Sequence, residues 1–307
     1  MTSVTGLHHV TVIAGDPAEN LRFYTGTLGM RLVKRGVNQD APDTYHLFYA
    51  DAAGSPGTDL TFFPWPGMAP GRSGIGLTME VALAVPAGTL PFWRERLEAA
   101  GIRATPEERF GESALVFRDP HGLPLALVET SGRTFVPWAD SPVAAEQQVR
   151  GLHAVRLWER DAAPTVRFLE MGLGLEPRAE EGGFTRFATD GSGTFIDVRA
   201  IPEMSRGAWG VGSIHHVAWR APDPDAQLAL RDRVLQAGGR PTEVIDRFWF
   251  KSIYFKEPGG ALFEIATDGP GFAIDENEAT LGQQLILPPW LEPERESIEA
   301  ALPPLPY

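Results

Sequence analysis

Apolar residues recur at helical spacing in two stretches of the chain. The first runs from Leu90 to Ala100, with apolar side chains every three or four residues, and Gly101 follows where a left-handed residue commonly ends a helix. The second runs from Leu228 to Ala237 and is followed by Gly238. The two stretches therefore predict two amphipathic helices of similar length.

Shorter apolar runs predict strands around these helices. Residues 115–118 and 253–256 end at Asp-Pro and Glu-Pro turns, and residues 261–266 form an apolar run after the second of these turns. Residues 7–13 form a further strand, with one face suited to packing against a helix. The order that emerges is a strand, a helix and then several strands.

This order occurs four times because the chain contains internal repeats. Residues 6–29 resemble residues 151–174, and residues 81–130 resemble residues 217–267. Residues 132–150 are predicted to be a linker. The repeats divide the chain into four βαβββ modules and a C-terminal tail, with these predicted boundaries: 1–66, 75–131, 150–201, 212–268 and 269–307.

Composition restricts the chemistry that such a chain can perform. Its 307 residues include seven histidines and no cysteine, which excludes disulfide scaffolds, thiol nucleophiles and cysteine-ligated metals. The net charge of −13 argues against a nucleic-acid partner. The sequence has neither a signal peptide pattern nor an apolar run long enough to span a bilayer, so we expect a cytoplasmic protein without membrane partners. A bound metal would have to be held by His, Asp and Glu.

Histidines occur as adjacent pairs, His8-His9 and His215-His216, each near the start of the first strand of a module. Since neighbouring residues on a strand face opposite sides, one histidine of each pair is predicted to face the inner surface of the sheet. The apolar pattern of the flanking residues favours His9 and His216 for the inner surface. His8 and His215 are then expected to face the helices.

Glu264 lies in the middle of the apolar closing strand of the fourth module. A carboxylate buried there needs a partner, and two imidazoles with one carboxylate form the triad that leaves metal positions open for substrate and oxygen. A lone histidine or glutamate on a strand is more often a satisfied structural residue. The joint occurrence of both His pairs and Glu264 favours a metal site formed by His9, His216 and Glu264.

The repeats provide an internal control for this metal site. The positions equivalent to the three candidate ligands are occupied in the other two modules by residues that cannot complete a second triad: Ala154, Glu80 and Ala126. Only pairing of the first module with the fourth brings the three candidates together. The sequence therefore predicts one metal per chain and a sheet shared by the first and fourth modules.

Three motifs resemble the vicinal oxygen chelate superfamily. They are Leu-His-His-Val at 7–10, Arg-Phe-Tyr at 22–24 and Gly-Gly-Ala-Leu-Phe-Glu at 259–264. The tail at 287–305 also resembles that of the ring-cleaving dioxygenases that act on hydroquinones. The resemblance implies an α+β fold in which the four modules form two curved mixed sheets. It also implies a bound Fe(II), with Mn(II) as the alternative, held by His9, His216 and Glu264.

The same resemblance assigns catalytic roles to five neighbouring residues: His8, Thr11, His215, Arg247 and Tyr254. Comparison with the equivalent residues of the other modules supports these roles unequally. Tyr254 replaces Val116 of the second module, which favours a function, whereas Arg247 is matched by Arg109 and His8 by His153. A structural role for Arg247 and His8 therefore stays open. His46 and His121 show no pattern and are predicted to be surface or loop residues.

The resemblance thus implies an Fe(II)-dependent, extradiol-type dioxygenase that cleaves the ring of a hydroquinone or catechol. The expected partners are a small aromatic diol and dioxygen, and self-association into a homo-oligomer is compatible with this class. The alternatives within the superfamily are a glyoxalase-like isomerase and a transferase like those that inactivate fosfomycin. A non-catalytic protein that binds small molecules is the third alternative.

Overall fold

The repeated order of strand, helix and three strands defines the fold of this computed structural model, which describes residues 2–305. Met1, Pro306 and Tyr307, at the outer ends of the first module and of the tail, lie outside the described residues. The first module contributes strands β1 (Leu7–Ala14), β2 (Arg31–Asn38), β3 (Ala41–Ala50) and β4 (Asp59–Pro64). The second contributes β5 (Thr78–Pro86), β6 (Thr105–Arg109), β7 (Glu112–Arg118) and β8 (Pro124–Thr130). The third contributes β9 (Leu152–Glu159), β10 (Glu176–Glu181), β11 (Phe184–Ala188) and β12 (Phe195–Ala200). The fourth contributes β13 (Ile214–Ala221), β14 (Ile245–Asp246), β15 (Phe250–Lys256) and β16 (Leu262–Pro270).

One helix follows the first strand of each module, and a fifth lies in the tail. The helices are α1 (Pro17–Leu21), α2 (Leu90–Ala99), α3 (Ala162–Phe168), α4 (Pro224–Gln236) and α5 (Arg295–Ala301). The helix predicted from residue 90 has the expected extent. The helix predicted from residue 228 begins earlier, because Asp223 caps its first turn by accepting a hydrogen bond from the Ala226 amide and Pro224 suits a first helical position. None of the helices in residues 2–305 is long and apolar enough to cross a membrane.

The strands form two eight-stranded mixed sheets, in the orders β14-β15-β16-β13-β1-β4-β3-β2 and β10-β11-β12-β9-β5-β8-β7-β6. Strand β1 pairs antiparallel with β13, and β5 pairs antiparallel with β9. The first module therefore shares a sheet with the fourth and the second with the third, which confirms the predicted fold and pairing. Within each module the first strand lies parallel to the last, for example β1 beside β4.

The central strands contain β-bulges at the histidine pairs, and these bulges change which way the side chains face. Leu7 pairs with Trp219 and His9 with Ala218, so His8 is an extra residue in β1. In the same way His215 is an extra residue in β13. A bulge places two residues opposite one and so interrupts the alternation of side chains. The expectation that His8 and His215 face the helices is therefore wrong.

The two surfaces of the first sheet have different packing. Its outer surface contributes residues such as Val10, Val217 and Phe263 to the main apolar core beneath the helices. Its inner, concave surface has a smaller apolar cluster that includes Phe48 and Phe250. The concave surface therefore has room for polar side chains among aromatic ones, and all four paired histidines lie there.

Candidate metal centre and ring pocket

Three side chains from three strands converge on the concave surface of the first sheet. His9 lies on β1, His216 on β13 and Glu264 on β16, and each is at most 5% exposed. His9 Nε2 lies 3.2 Å from His216 Nε2, and Glu264 Oε2 lies 3.4 Å and 3.0 Å from these two nitrogens. The parallel pairing of β13 with β16 and the antiparallel pairing of β13 with β1 bring the three together.

This triangle fits a bound metal ion. Three ligand atoms at right angles around a metal, with bonds of about 2.1 Å, lie about 3 Å apart. Glu264 Oε2 is buried, has no hydrogen-bond donor among residues 2–305, and is directed at the two imidazoles. Among the described residues, this is the one group of three such side chains within ligating distance of one another. The donor set of two nitrogens and one oxygen suits a divalent transition metal.

The second nitrogen of each candidate ligand is fixed by its neighbour in sequence. His9 Nδ1 lies 2.9 Å from His8 Nδ1, and His8 Nε2 lies 3.2 Å from the carbonyl oxygen of Thr267. Because a carbonyl can only accept, His8 Nε2 donates to it, and His8 Nδ1 then accepts from His9 Nδ1. His9 therefore directs an unprotonated Nε2 towards the triangle. His216 makes the same contact with His215, with 2.8 Å between their Nδ1 atoms.

Burial and mutual charge keep these groups in the protonation states that a metal needs. Burial, together with the adjacent imidazole of each pair, lowers the pKa of His8 and of His215 to about 3. Burial also lowers the pKa of His216, although Glu264 opposes this shift. Burial alone would raise the pKa of Glu264, but the imidazoles of His9 and His216 hold it well below its usual range. These pKa shifts favour neutral imidazoles at His8, His215 and His216 and an ionised carboxylate at Glu264.

The sequence interpretation missed Ser252, which fixes the carboxylate. Its hydroxyl donates a 2.5 Å hydrogen bond to Glu264 Oε1, which leaves Oε2 directed at the histidines. Ser252 is fully buried on β15, two residues before Tyr254, and so shares its concave face. A buried serine in an otherwise apolar strand is the signal that could have identified it.

Aromatic side chains surround the space next to the triangle and form what we call the ring pocket. Its walls include Phe48, Phe63, Trp249 and Phe250, and its cavity measures about 40 Å³. Three polar residues, Asn38, Gln39 and Asp40, line it at the tip of the hairpin that joins β2 to β3. A flat aromatic ligand can pack against such walls while its oxygens reach the triangle.

Tyr254 and Arg247 lie together at the side of the ring pocket. Tyr254 pairs across the strands with Glu264, and its ring packs edge-on against the ring of His216 at 5.7 Å. Burial and the nearby Glu264 raise the pKa of Tyr254, so its hydroxyl remains a donor at neutral pH. The guanidinium of Arg247 lies 5.5 Å from the centre of the Tyr254 ring and forms two hydrogen bonds with Asp40. Both side chains are thus placed to contact an oxygen of a bound ring.

Thr11 contacts the ring pocket only through other side chains. Its hydroxyl lies 2.7 Å from that of Thr61, which lies 2.9 Å from His46 Nε2. His46 itself lines the ring pocket and packs 3.8 Å from the ring of Phe48, so the prediction of a surface or loop position is wrong for it. The alternation within β3 carries the missed signal, because Tyr45 and Leu47 on either side belong to the main core.

The tail supports one wall of the ring pocket. Trp249 donates a hydrogen bond from Nε1 to Asp275 at 2.8 Å. Asp275 in turn pairs at 2.7 Å with Lys34, a fully buried lysine on β2 that also donates to the carbonyl of Phe272. Lys34 also pairs with Glu276. The residues after β16 therefore hold the indole in place from outside the sheet.

The equivalent concave surface of the second sheet contains ion pairs where the first sheet has its triangle. Arg109 binds Glu80, which occupies the position equivalent to His216, with one contact of 2.5 Å. Arg186 binds Asp197 through two hydrogen bonds, and its guanidinium packs 4.0 Å from the ring of Phe110. His153, the counterpart of His8, lies 3.0 Å from a carboxylate oxygen of Glu112. These buried charges neutralise one another without a metal.

The fold is that of a known superfamily. The model of the Glyoxalase/Bleomycin resistance protein/Dioxygenase superfamily matches residues 6–127 and 151–265. The chain belongs to this superfamily, as the sequence motifs implied.

Relatives of nearly the same length indicate which class of enzyme within the superfamily this chain belongs to. The chain is 43% identical over 300 residues to a Bacillus subtilis protein named "Putative ring-cleaving dioxygenase MhqO", covering 97% of this chain and 96% of that protein. It is 33% identical to a chlorohydroquinone/hydroquinone 1,2-dioxygenase of Sphingobium indicum, covering 96% and 95% of the two chains. The crystal structure of a "putative dioxygenase" from B. subtilis superposes with a TM-score of 0.96 at 42% identity, covering 100% and 99%. The expectation that the chain is an enzyme of the ring-cleaving dioxygenase class is confirmed.

Proposed function

We propose that this protein is an Fe(II)-dependent, extradiol-type dioxygenase that cleaves the ring of a hydroquinone or a catechol. The observation that carries the proposal is the convergence of His9, His216 and Glu264 at one end of an aromatic pocket. Three protein ligands leave coordination positions open for a substrate oxygen and for dioxygen. The name of the Sphingobium indicum relative supports a hydroquinone as the ring.

The ligand set also supports iron as the metal. Two imidazoles and one carboxylate carry a single negative charge, so a divalent ion keeps one positive charge that can balance one phenolate. When bound, Fe(II) supplies the one-electron chemistry that lets dioxygen react with the ring, and Mn(II) is the alternative. The chain has no cysteine, so no thiolate competes with these ligands for the metal.

The residues of the ring pocket have separate proposed roles. The aromatic walls orient the ring and exclude water. Tyr254 donates a hydrogen bond to a ring oxygen, and Arg247 stabilises negative charge that develops on the substrate. His8 and His215 hold the tautomers of the two ligating histidines. Thr11 acts more remotely, by fixing the hydroxyl of Thr61 against His46.

The alternatives within the superfamily are less well supported. A glyoxalase-like isomerase requires a further carboxylate or amide that serves as ligand and base. Glu80, at a ligand-equivalent position, lies in the second sheet and is bound to Arg109. A binding protein has no need of a complete triad whose carboxylate is fixed by Ser252.

The proposal is tested by oxygen uptake. The metal-free protein is loaded anaerobically with Fe(II) and then mixed with oxygenated buffer and a panel of hydroquinones and catechols. We expect stoichiometric oxygen uptake with at least one diol, and incorporation of both atoms of ¹⁸O₂ into the ring-opened product. A fully iron-loaded protein that consumes no oxygen with any diol would contradict the proposal.

His8 offers a test of the hydrogen-bond chain behind the metal. The variant His8→Phe keeps a ring in the buried position but removes the acceptor for His9 Nδ1. Because supporting hydrogen bonds of this kind set the tautomer of the ligand, we expect Fe(II) affinity to fall about 10- to 100-fold. The measurement is a competition titration against a coloured chelator.

The matched control for this variant is His153→Phe, the equivalent position in the second sheet. His153 lies next to Ala154 and far from the triangle in the fold, so metal affinity should not change. Equal affinity of His8→Phe and the unaltered protein would exclude a supporting role for His8.

A further inference from the structure

The ring pocket is too small in this structure to hold an aromatic ring. Its cavity of about 40 Å³ is much smaller than the roughly 150 Å³ of a protein cavity that holds benzene. A hydroquinone or catechol is larger than benzene. A ring can therefore enter only if some part of the pocket wall moves.

The contact that closes the mouth of the pocket joins the two outermost regions of the first sheet. Asp40, at the tip of the β2–β3 hairpin, accepts hydrogen bonds of 3.2 Å and 2.8 Å from the two terminal nitrogens of Arg247. Gln39 adds a 3.0 Å hydrogen bond from Nε2 to the carbonyl of Arg247. Strands β2 and β14 are the opposite edges of the sheet, so these contacts connect two edges with no backbone ladder between them.

The exposure of the two partners suggests a pair that can open. The side chain of Asp40 is 73% exposed, whereas that of Arg247 is 16% exposed. Ion pairs with one partner in solvent contribute little to stability. Breaking this side-chain pair therefore requires little free energy. The half-buried Arg247 side chain also lies 5.5 Å from the centre of the Tyr254 ring.

In the second sheet the equivalent arginine, Arg109, is held by two carboxylates, those of Glu80 and Glu107. Arg109 is the counterpart of Arg247, and each is followed by a phenylalanine with positive φ, 51° at Phe110 and 73° at Phe248. From this shared backbone geometry Arg109 reaches inward to Glu80, at the position equivalent to His216. The side chain is thus long enough to reach the centre of the concave surface. In the first sheet Asp40 keeps it at the mouth.

We propose that Asp40 is a positioning residue that holds Arg247 across the mouth of the ring pocket, and that release of this pair admits the substrate. Gln39 assists by fixing the backbone of Arg247. The inference rests on the proposed function only in taking the pocket to bind a ring. The inference adds a gate formed by the two edges of one sheet. When Asp40 releases Arg247, the guanidinium becomes available to the substrate.

Opening of the gate can be measured without metal or turnover by labelling a cysteine placed inside the pocket. The chain has no cysteine of its own, so the reagent labels only the introduced thiol. Phe48 is buried in the pocket wall, so the variant Phe48→Cys places the sole thiol behind the mouth. The rate at which 4,4′-dithiodipyridine, a reagent built of aromatic rings, labels this thiol in the metal-free protein reports opening. We expect Asp40→Asn in this background to label about three- to fivefold faster, the effect of losing one exposed ion pair.

Two variants make the comparison specific. Asp40→Glu retains a carboxylate and should label at the rate of the Phe48→Cys background. Asp43→Asn removes an exposed carboxylate from the same hairpin. Within the described part of the chain, this carboxylate accepts a hydrogen bond from the adjacent Thr44, so its loss should also leave the rate unchanged. If Asp40→Asn labels no faster than Asp43→Asn, the gate is refuted.

A second measurement needs no change in the pocket wall. Hydrogen–deuterium exchange of the otherwise unaltered protein should be faster in Asp40→Asn for both segments 38–41 and 245–250, with the thermal unfolding midpoint unchanged. Unchanged exchange in both segments would overturn the proposal. Oxygen uptake plays no part in either measurement, so a failed dioxygenase assay and a failed gate are distinguishable.

Discussion

Replacing His216 by Ala should yield a folded protein that does not retain iron after loading and has no oxygen uptake above background. The imidazole contributes one of three converging ligand atoms, 3.0 Å from Glu264 Oε2. Loss of a supporting residue behind a ligand already costs about 10- to 100-fold in affinity, so loss of the ligand itself should exceed 100-fold. Metal content after anaerobic loading and gel filtration, together with oxygen uptake, measures both effects.

His121→Ala is the control for this variant. His121 lies in the turn between β7 and β8, where it contacts Glu19 at 3.1 Å. Its replacement should leave iron content and oxygen uptake unchanged. Stoichiometric iron in His216→Ala would overturn the assignment of the ligands.

Replacing Arg186 by Met destabilises the protein by about 3–5 kcal/mol, the usual effect of removing one partner from a buried ion pair. Arg186 binds both carboxylate oxygens of Asp197, which is 1% exposed. Without it, Arg156 is the remaining cation paired with Asp197 in residues 2–305, and its Nε lies 3.6 Å away. The free energy of unfolding in urea measures the effect.

A matched control lies in the same module. Arg178 is paired with Asp190, whose side chain is 90% exposed, so Arg178→Met should change the free energy of unfolding by less than about 1 kcal/mol. Affinity for Fe(II), measured where both variants are folded, should stay at the level of the unaltered protein. If Arg186→Met left the free energy of unfolding nearly unchanged, the ion pairs of the second sheet would not be stabilising the fold.

The fold could be predicted from the sequence to an unusual depth because the chain repeats itself. Similar segments defined four modules, and the differences between them showed which modules had to be paired. Ala154, Glu80 and Ala126 cannot replace the candidate ligands, so a shared sheet of the first and fourth modules was required. The pairing of β1 with β13 confirms this reasoning.

The orientation of the paired histidines could not be predicted in the same way. Strict alternation sends His8 and His215 to the helices, but a bulge depends on the register of two strands far apart in sequence. In the structure the second sheet has the same two bulges. Its extra residues are Met79 and His153, at the positions equivalent to His215 and His8.

The residues that surround the site also could not be predicted from the sequence. Ser252 and His46 are single polar residues on strands, and only packing distinguishes them from solvent-exposed ones. Asp40 and Arg247 meet across opposite edges of a curved sheet, so no local pattern links them. Candidate ligands can be recognised in a sequence because histidines and carboxylates occur in characteristic sets. Contacts between the distant edges of a sheet can be recognised only in the three-dimensional structure.

The pairing of β1 with β13 also determines when the active site can form during synthesis. Thr11 and His216 face each other in that pair, so the ribosome must add about 200 residues after the first strand before its partner exists. At roughly 5–20 residues per second this takes about 10–40 s, during which one edge of β1 is unpaired. The second and third modules are consecutive in the chain and can complete their sheet within that interval. This order of synthesis lets the middle of the chain assemble first, and the first and fourth modules, which hold the candidate ligands, can pair only afterwards.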